Sequence, residues 1–515
     1  RQVSMRTNRY AFAALKNDGS VVTWGSDSFG GGSVPAGVSN VQAIYSTGSA
    51  FAVLKQDGSV VAWGDSGNGG GSVPAGLSNV RAIYSTGGAY STGGAFAALK
   101  QDGTVVVWGN TMYGGGEYPQ FGTTVPAGLT DSSASGFSPV TAIYSNDGVF
   151  AALKQDGTVA CWGSTNYTDS SAPALLTDSS ASGFSPVTTI YSTERAFAAL
   201  RQDGNVVVWG SSTYGGFPNE VMTGVTAISS NRLAFAALKQ DGTVYAWGNS
   251  NNGGMMPASA GLDDSSASGF SPATTIYSNQ YAFAVLKQDG TVACWGSSSG
   301  GGDVNLADFG LTDSSASGFS PVTAISSTLG AFAAVKQDGT VVAWGDSTFA
   351  GSGMPQGLSN VRAIYSAESA FAALKQDGTV VAWGNLDYGG SSPGELTDSF
   401  AFGFSPVTFI YSNGNAFAAL RENGNVVAWG SSDYGGNASS VQSSLVGVKK
   451  ISYGNDYYRG KYYTNTVNDP APPSQPVINA ISTPTNDNTP TITGTCSNGT
   501  SIILYNDNGL TQIAG

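Results

Sequence analysis

The chain has 515 residues, only 11% of them are charged, and the net charge is −13. Soluble domains usually carry about 25% charged residues, so we expect a polar, weakly charged surface that suits an extracellular or wall-associated protein. The acidic balance disfavours nucleic acids and anionic membranes, since both bind clustered basic charge. No apolar run approaches the roughly 20 residues of a membrane helix, so membrane insertion is not expected. The absence of His excludes Ser-His-Asp and Cys-His catalysis and zinc sites built from His and Cys.

Every Trp of the chain stands before a Gly, and these Trp-Gly pairs recur along most of the sequence. They begin at Trp24, Trp63, Trp108, Trp162, Trp209, Trp247, Trp295, Trp344, Trp383 and Trp429. Where nothing is inserted, as between Trp24 and Trp63, the period is 39 residues. Periods of this size are typical of propellers and solenoids, in which each repeat buries its faces against its neighbours.

Each repeat predicts three antiparallel strands. In one copy, residues 361–366 and 370–375 alternate and are rich in strand-forming residues. Residues 376–378, Gln-Asp-Gly, mark a tight turn, because Asp-Gly readily takes the positive φ that hairpins need. Residues 379–383 form the third strand, and no pattern supports a fourth.

Five repeats carry an inserted phrase, Thr-Asp-Ser-Ser-Ala-Ser-Gly-Phe-Ser-Pro or a close variant, directly before the first strand. The inserts end at Pro139, Pro186, Pro272, Pro321 and Pro406. Because all five fall in the same connection, we expect them on one side of the assembly and dispensable for folding. Their phenylalanines are the expected anchors: Phe137, Phe184, Phe270, Phe319 and Phe404.

Both ends of the repeat region carry a strand-like segment, at residues 3–6 and 446–453. A ring in which one terminus completes the other's blade needs only one of them. The sequence therefore leaves open a closed ring, an open superhelical array, or a ring with leftover repeats.

The composition changes after the last repeat. Residues 468–476 are rich in Pro and predict an extended linker. Residues 477–515 contain an alternating strand at 501–505 and resemble the opening strands of a bacterial immunoglobulin-like adhesin domain, a sandwich that needs about 100 residues. The predicted domains are a ten-repeat β-propeller-like array at 1–467, the linker, and a truncated immunoglobulin-like sandwich at 477–515.

The phrase at residues 370–384, Ala-Phe-Ala-Ala-Leu-Lys-Gln-Asp-Gly-Thr-Val-Val-Ala-Trp-Gly, resembles the regulator-of-chromosome-condensation repeat. The resemblance covers residues 3–453 and is strongest to the compact bacterial members. It implies an all-β propeller of antiparallel blades that acts as a protein-binding module. The family often has His before the second strand, which this chain lacks, and the acidic, His and basic segments of its nucleotide-exchange members have no counterpart here.

One set of candidate binding residues consists of aromatic side chains in the loops after Trp-Gly. These are Phe29, Tyr113, Tyr167, Tyr214, Phe349, Tyr388 and Tyr434. Exposed aromatic rings supply rigid contact area for a sugar or a protein. The competing interpretation is packing between neighbouring blades. Tyrosines of the first strands either line an inner channel or are buried with their hydroxyl groups bonded.

The charged hairpin turns give a second repeated pattern, a Lys or Arg followed closely by Asp or Asn. We interpret the basic residue as solvated beside its acid, and the Asp as a turn residue rather than part of a catalytic pair. A contact surface for an acidic partner is the alternative.

Together these patterns predict a non-enzymatic bacterial cell-surface or secreted adhesion protein without a cofactor or a metal. The expected partner is a protein or glycan, with self-association as a possibility. Two alternatives remain: a structural subunit of an extracellular filament or sheath, and an intracellular effector that binds a small GTPase.

Overall fold

A computed structural model describes residues 8–71, 73–86, 93–116, 122–164, 171–217, 222–451, 477–478 and 494–495. The chain divides into two units, Arg1–Asn465 and Thr466–Gly515. The first unit contains ten antiparallel sheets, here called blades 1 to 10 in chain order, and each has strands A, B and C. In the second unit, the described residues form one antiparallel pair, Val477–Ile478 with Gly494–Thr495. The predicted strand at residues 501–505 lies outside the described residues, so the immunoglobulin-like domain stays a prediction.

The strand bounds repeat closely from blade to blade. Strand A of blades 2 to 10 spans Val41–Ser46, Val80–Ser85, Val140–Ser145, Val187–Ser192, Val225–Ser230, Ala273–Ser278, Val322–Ser327, Val361–Ser366 and Val407–Ser412. Strand B of blades 1 to 10 spans Ala11–Lys16, Ala50–Lys55, Ala95–Lys100, Val149–Lys154, Ala196–Arg201, Ala234–Lys239, Ala282–Lys287, Ala331–Lys336, Ala370–Lys375 and Ala416–Arg421. Strand C spans Val21–Gly25, Val60–Gly64, Val105–Gly109, Val159–Ser164, Val206–Gly210, Val244–Gly248, Val292–Gly296, Val341–Gly345, Val380–Gly384 and Val426–Gly430. These bounds confirm the three predicted strands of each repeat.

Helical structure is short wherever the chain is described. One α-helix is present, Ala174–Thr177. Turns of 3-10 helix follow strand C at Asp27–Phe29, Ser66–Asn68, Thr111–Tyr113, Ser212–Tyr214, Ser250–Asn252, Ser298–Gly300, Ser347–Phe349, Leu386–Tyr388 and Ser432–Tyr434. Others lie at Ala127–Leu129, Ala258–Ala260, Leu306–Phe309, Gly394–Leu396 and Ser439–Ser444. A fourth strand, Gly122–Thr123, is added to strand C of blade 4.

The core of each blade is a Phe of strand B paired across the hairpin with the Trp of strand C. In blade 9, Phe371 and Trp383 are register partners with ring centroids 5.2 Å apart. Both rings are buried against the preceding blade, where small residues such as Ala331 and Ala333 allow close approach. All ten Trp side chains are buried in this way, which confirms the predicted position of the repeated Trp.

Neighbouring blades are joined by the same hydrogen bond at each interface. The first residue of strand A donates its N–H to the Gly of the preceding Asp-Gly turn, as Val407 does to Gly378 O at 3.0 Å. At most interfaces the Ser at the end of strand A also donates to the same Ser of the preceding blade, as Ser145 Oγ does to Ser85 O at 2.7 Å; Ser366 Oγ is an exception. Strands A of neighbouring blades therefore lie beside each other.

Blade 1 takes its strand A from the far end of the repeat region. Val448–Ile451 pairs antiparallel with Ala11–Lys16, with the same register shift as strand A of the other blades. Val448 N donates to Gly424 O of blade 10 at 3.0 Å, and Trp24 Nε1 donates to Gly435 O at 2.9 Å. One of the two predicted terminal strands thus completes the first blade, and the other, at residues 3–6, lies outside the described residues.

The strand order gives the repeat region two faces. At one end of the blades, strand A turns into strand B and strand C ends; we call this the loop face. At the other end, strand B turns into strand C through Asp-Gly; we call this the hairpin face. The five inserts precede strand A and so lie on the hairpin face, where Gln155 N donates to Pro139 O at 2.8 Å.

The anchors of the inserts differ from those we expected. The five predicted phenylalanines, Phe137, Phe184, Phe270, Phe319 and Phe404, are only half-buried. The fully buried residue is a Leu two positions before the Asp of each insert: Leu129, Leu176, Leu262, Leu311 and Leu396. These Leu side chains pack into the clusters between blades, so they tie the insert to the core.

Candidate functional site

The loops of the loop face begin with a 3-10 turn whose ends are fixed. In blade 9, Asn385 Oδ1 accepts a hydrogen bond from Asp387 N and caps the turn. Gly389 follows at φ +90°, and a Cβ atom there would lie 2.7 Å from the Phe417 ring of blade 10. A glycine is needed for this conformation and this approach, so the loop is locked against the next blade.

Side chains from two blades hold most of these loops from opposite sides; the exceptions are at Trp162, Trp344 and Trp383, whose Nε1 groups make no hydrogen bond to the described residues, and at Ala367, which has no side-chain donor. The A–B turn of the same blade donates to the loop backbone, as Asn413 Nδ2 does to Tyr434 O at 2.7 Å. The Trp of the next blade also donates, as Trp429 Nε1 does to Gly389 O at 3.0 Å. The loops therefore present their side chains from a fixed backbone, as a binding site requires.

The predicted aromatic residues occupy the last position of these turns. Phe29, Tyr113, Tyr214, Phe349, Tyr388 and Tyr434 are half-buried, and Tyr167 lies outside the described residues. Tyr113, Tyr214, Phe349 and Tyr388 pack against the hydrophobic clusters between blades. This geometry matches the packing interpretation, and ligand contact by these rings stays a prediction.

Two of the predicted residues are brought together where the two ends of the repeat region meet. Tyr10, which precedes strand B of blade 1, lies between Phe29 and Tyr434, with ring centroids at 4.3 Å and 5.3 Å. The loops of blades 1 and 10 thus share one aromatic cluster. The other predicted aromatics stay one to a blade.

The sequence reasoning missed the side chains of these loops that are exposed. Met112, Phe217, Met255 and Leu386 are apolar and between 43% and 72% exposed. Met112, Phe217 and Leu386 lie one to three residues from the predicted aromatics of blades 3, 5 and 9, and Met255 lies at the equivalent place in blade 6, three residues after Asn252. Other repeats have Ser, Thr, Asp, Asn or Gly at these positions, so comparison of the repeats with one another could have found them.

Ion pairs between blades mark the A–B turns of the loop face. Arg9 of blade 1 reaches Glu368 of blade 9 at 2.9 Å, across Gly414 of blade 10. Arg232 of blade 6 binds Glu194 of blade 5 at 3.0 Å. Burial, followed by the charge of Glu368, raises the pKa of Tyr388. The loop face is therefore a mixed surface of buried ion pairs and exposed apolar side chains.

The Asp side chains of the hairpin face are held within their own turns, whereas Arg201 and Arg421 also reach the preceding inserts, at Gly183 O (2.6 Å) and Glu395 O (3.2 Å). Asp57 Oδ1 accepts from both the N–H and the hydroxyl group of Ser59, at 2.9 Å and 2.6 Å. These bonds, and more weakly the charge of Lys55 at 3.9 Å, hold the pKa of Asp57 below its ordinary value. The geometry is that of a turn stabilised by its own side chains, as the sequence pattern predicted.

The tyrosines of strand A lie between neighbouring blades near the loop face. Burial raises the pKa of Tyr45 to about 12, and its hydroxyl group is hydrogen-bonded to the backbone of Ile83 in the next blade. Tyr84, Tyr144, Tyr191, Tyr365 and Tyr411 are buried, and Tyr45 and Tyr277 are half-buried. The buried arrangement with a bonded hydroxyl group thus fits better than a row that lines a channel.

Among the described residues, no group of three or more Cys, Asp or Glu side chains is arranged to hold a metal ion. No helix there combines the length and the apolar character needed to span a bilayer.

The repeat is recognised by one family model. The regulator of chromosome condensation (RCC1) repeat matches residues 225–253, which run from strand A of blade 6 into its loop. No curated protein sequence is significantly similar to the chain. The match supports repeats of this type, and it does not test whether they belong to the bacterial subclass.

Several solved structures have some similarity to the chain. The CRINKLY WD40 ectodomain of the receptor kinase ACR4 from Arabidopsis thaliana is 16% identical over 59% of this chain and 95% of its own, with a TM-score of 0.32. Prp20p from Saccharomyces cerevisiae is 14% identical over 66% of this chain and 81% of its own, with a TM-score of 0.34. The computationally designed protein Ika8 is 18% identical over 68% of this chain and 97% of its own, with a TM-score of 0.30.

Proposed function

We propose that this chain is a non-enzymatic binding protein that presents its loop face to a protein or glycan partner, at the cell surface or outside the cell. The observation that carries the proposal is the exposure of Met112, Phe217, Met255 and Leu386 on loops with a fixed backbone. Apolar side chains on a preorganised backbone gain contact area at little cost in loop ordering.

We further infer that the ten blades form a closed ring. The Val N–H to Gly O bond that joins neighbouring blades occurs between blades 9 and 10, as elsewhere, and again between blade 10 and the strand Val448–Ile451 of blade 1. The Arg9–Glu368 ion pair spans the same junction. A closed ring leaves no end sheet exposed, which an open array would have to cap.

The proposed location outside the cell rests on two features of the sequence. It has the support of the low charged fraction of 11% and of the resemblance of residues 477–515 to an adhesin domain. Binding of a small GTPase inside the cell is the second candidate, and the repeat-family match at residues 225–253 favours it. Among the similar structures, Prp20p is described with its binding to Gsp1p and histones.

The test uses the whole chain, immobilised and presented with purified extracellular-matrix proteins, a glycan array, and a small GTPase in its GDP-bound and nucleotide-free forms. A loop-face variant combines Met112→Ser, Phe217→Ser, Met255→Ser and Leu386→Ser, which introduces a residue type that other repeats have there. We expect a matrix protein or glycan to bind the wild type and to bind this variant at least tenfold more weakly, as interface hot spots do.

The matched control changes the hairpin face, with Lys55→Ala and Lys375→Ala, and should bind as the wild type does. Binding that the lysine changes or raised salt abolish, while the loop-face variant binds normally, would place the contact on the hairpin face. Binding of the GTPase alone would favour the second candidate. Concentration-dependent polymers in sedimentation velocity, with no ligand bound, would favour the filament subunit.

A further inference from the structure

The fifth insert differs from the other four at its tip. Four inserts have Ser at the two tip positions, namely Ser133 and Ser135, Ser180 and Ser182, Ser266 and Ser268, and Ser315 and Ser317. The fifth has Phe400 and Phe402, which are 96% and 108% exposed. No other large apolar side chains of the described residues are as exposed as these two.

The fold of the insert gives no reason for this change. Phe404 N donates to Ala401 O at 3.0 Å, as Phe137 N does to Ala134 O in the first insert. Phe400 N keeps the 2.9 Å bond to Asp398 Oδ1 that the serine N–H makes elsewhere. The two phenylalanines therefore add exposed apolar area to a turn that Ser residues form equally well.

Two further departures from the repeat lie beside the same insert, and both are acidic. Glu422 stands where eight other blades have Gln, and its N–H donates to Pro406 O at 2.9 Å. Glu395 precedes the buried Leu396 of the insert, where the other inserts have Gly or Leu, and its side chain is 58% exposed. Arg421 is paired with Glu395 at 2.8 Å. Exposed apolar and acidic groups thus coincide at one site on the hairpin face.

We propose that Phe400 and Phe402, with Glu395 and Glu422, form a docking site for a partner protein segment whose apolar side chains are flanked by Lys or Arg. The proposal rests on the proposed function, since it assumes a binding protein, but it uses the opposite face. Charge complementarity selects this occupant: Glu395 is paired with Arg421, but Asp398 and Glu422 leave the insert and its neighbouring turn with an acidic excess that attracts a basic segment and repels an anionic membrane surface. Aromatic side chains are the usual anchors of such contacts.

The probe is a synthetic amphipathic Leu/Lys peptide, compared with a Leu/Glu peptide of the same length by fluorescence anisotropy with the full chain. We expect the Leu/Lys peptide alone to bind, and Phe400→Ser with Phe402→Ser to weaken it at least tenfold at an unchanged net charge. Glu395→Gln with Glu422→Gln should also weaken it and reduce its salt dependence. The double-serine variant should keep the wild-type thermal unfolding midpoint. Glu395→Gln removes the ion partner of Arg421, whose side chain is 10% exposed, so binding by the glutamine variant is measured well below its own midpoint.

The matched control moves the phenylalanines to the first insert. Ser133→Phe with Ser135→Phe, added to the double-serine variant, should not restore binding, because Gly128 and Gln155 stand there in place of the two glutamates. Equal affinity of the Leu/Lys peptide for the wild type and the double-serine variant would overturn the proposal. So would phenylalanine-dependent binding to phosphatidylserine vesicles without peptide binding, or a phenylalanine-dependent dimer.

The two proposals fail separately. The double-serine variant is also tested with the ligand found for the loop face. If it binds that ligand normally while the peptide result is negative, only the docking site on the insert is wrong. If no loop-face ligand is found but the peptide binds in the expected way, the loop-face proposal is the one that fails.

Discussion

The loop face and the hairpin face are built from the same ten blades, but their turns are held differently. On the hairpin face, Asp57 and Ser59 bond each other within one turn. On the loop face, the bonds cross from blade to blade, as between Arg9 and Glu368. The side chains that shape the hairpin turns are therefore local in sequence, although the turn backbone also accepts a bond from the next blade, whereas the ion pairs of the loop face form only between assembled blades.

Removal of the core that both faces share should have the largest effect. Trp344 is buried against Ala282, Ala284 and Val292 of blade 7. We expect Trp344→Ala to lower the free energy of unfolding by about 3–5 kcal/mol, the range for a large buried side chain. Urea unfolding followed by far-ultraviolet circular dichroism measures this free energy.

Trp344→Phe is the control and should lower the free energy of unfolding by less, since Trp344 Nε1 makes no hydrogen bond to the described residues. A loss below about 1 kcal/mol for Trp344→Ala would show that this Trp does not hold the blades together.

Removal of one charge from each face separates the two kinds of turn. Arg9→Ala deprives Glu368, whose side chain is only 7% exposed, of its ion partner. We expect a loss of about 2 kcal/mol, less than the 3–5 kcal/mol of a fully buried pair because Arg9 is partly exposed. Lys55→Ala should cause no measurable change, because its partner Asp57 is 64% exposed and 3.9 Å away, so that solvent screens the pair.

Unfolding of both variants in 0.1 M and 1 M NaCl gives the check. High salt should remove any effect of Lys55→Ala but leave most of the effect of Arg9→Ala, since buried charges are screened less. Equal losses for the two variants would mean that the loop face is no more dependent on contacts between blades than the hairpin face is.

The same difference explains what the sequence could predict. The ten hairpins were predictable because their determinants are local, such as the Asp377-Gly378 turn between Phe371 and Trp383. The pairing of strand A of blade 1 was not predictable, because it joins the two ends of the repeat region. Trp24 and Gly435, which bond at the same junction, are 411 positions apart. Residues 3–6 and 446–453 also have the same strand pattern, so the sequence does not indicate which of them completes a blade.

The candidate site was predictable only in part. The sequence pointed to the correct loops, but burial of Tyr388 depends on the neighbouring blade, against which Gly389 packs. The exposed Leu386, two residues away, is not part of the repeated pattern, because other repeats have Ser, Thr or Asp at its position. The inserts were placed on one side correctly, yet Leu396 and not Phe404 is the buried anchor, because a short apolar segment carries no mark of which residue faces the core.

The smallest expected effect is that of pH on stability. Acid should destabilise the hairpin face, and alkali should destabilise the blades near the loop face. Hydrogen bonds lower the pKa of Asp57 in the folded protein, so its contribution is present above the unfolded value near 3.9 and is lost as the pH falls. Burial raises the pKa of Tyr45 to about 12. Since the unfolded value is about 10, ionisation favours the unfolded chain as the pH rises from 10 towards 12.

Tyr45→Phe tests the alkaline end. At pH 7 the variant should be less stable by about 1 kcal/mol, because it loses the hydrogen bond to the Ile83 backbone. Above pH 10 the wild type alone carries the penalty for keeping Tyr45 protonated, so the difference should shrink and then reverse. Urea unfolding at pH 7, 9.5, 10.5 and 11 measures the difference, with Tyr84→Phe in both proteins because the charge of Tyr84 also raises the pKa of Tyr45. A difference that stays constant over this range would show that Tyr45 ionises as freely in the folded protein as in the unfolded chain, and that strand A is open to solvent near the loop face.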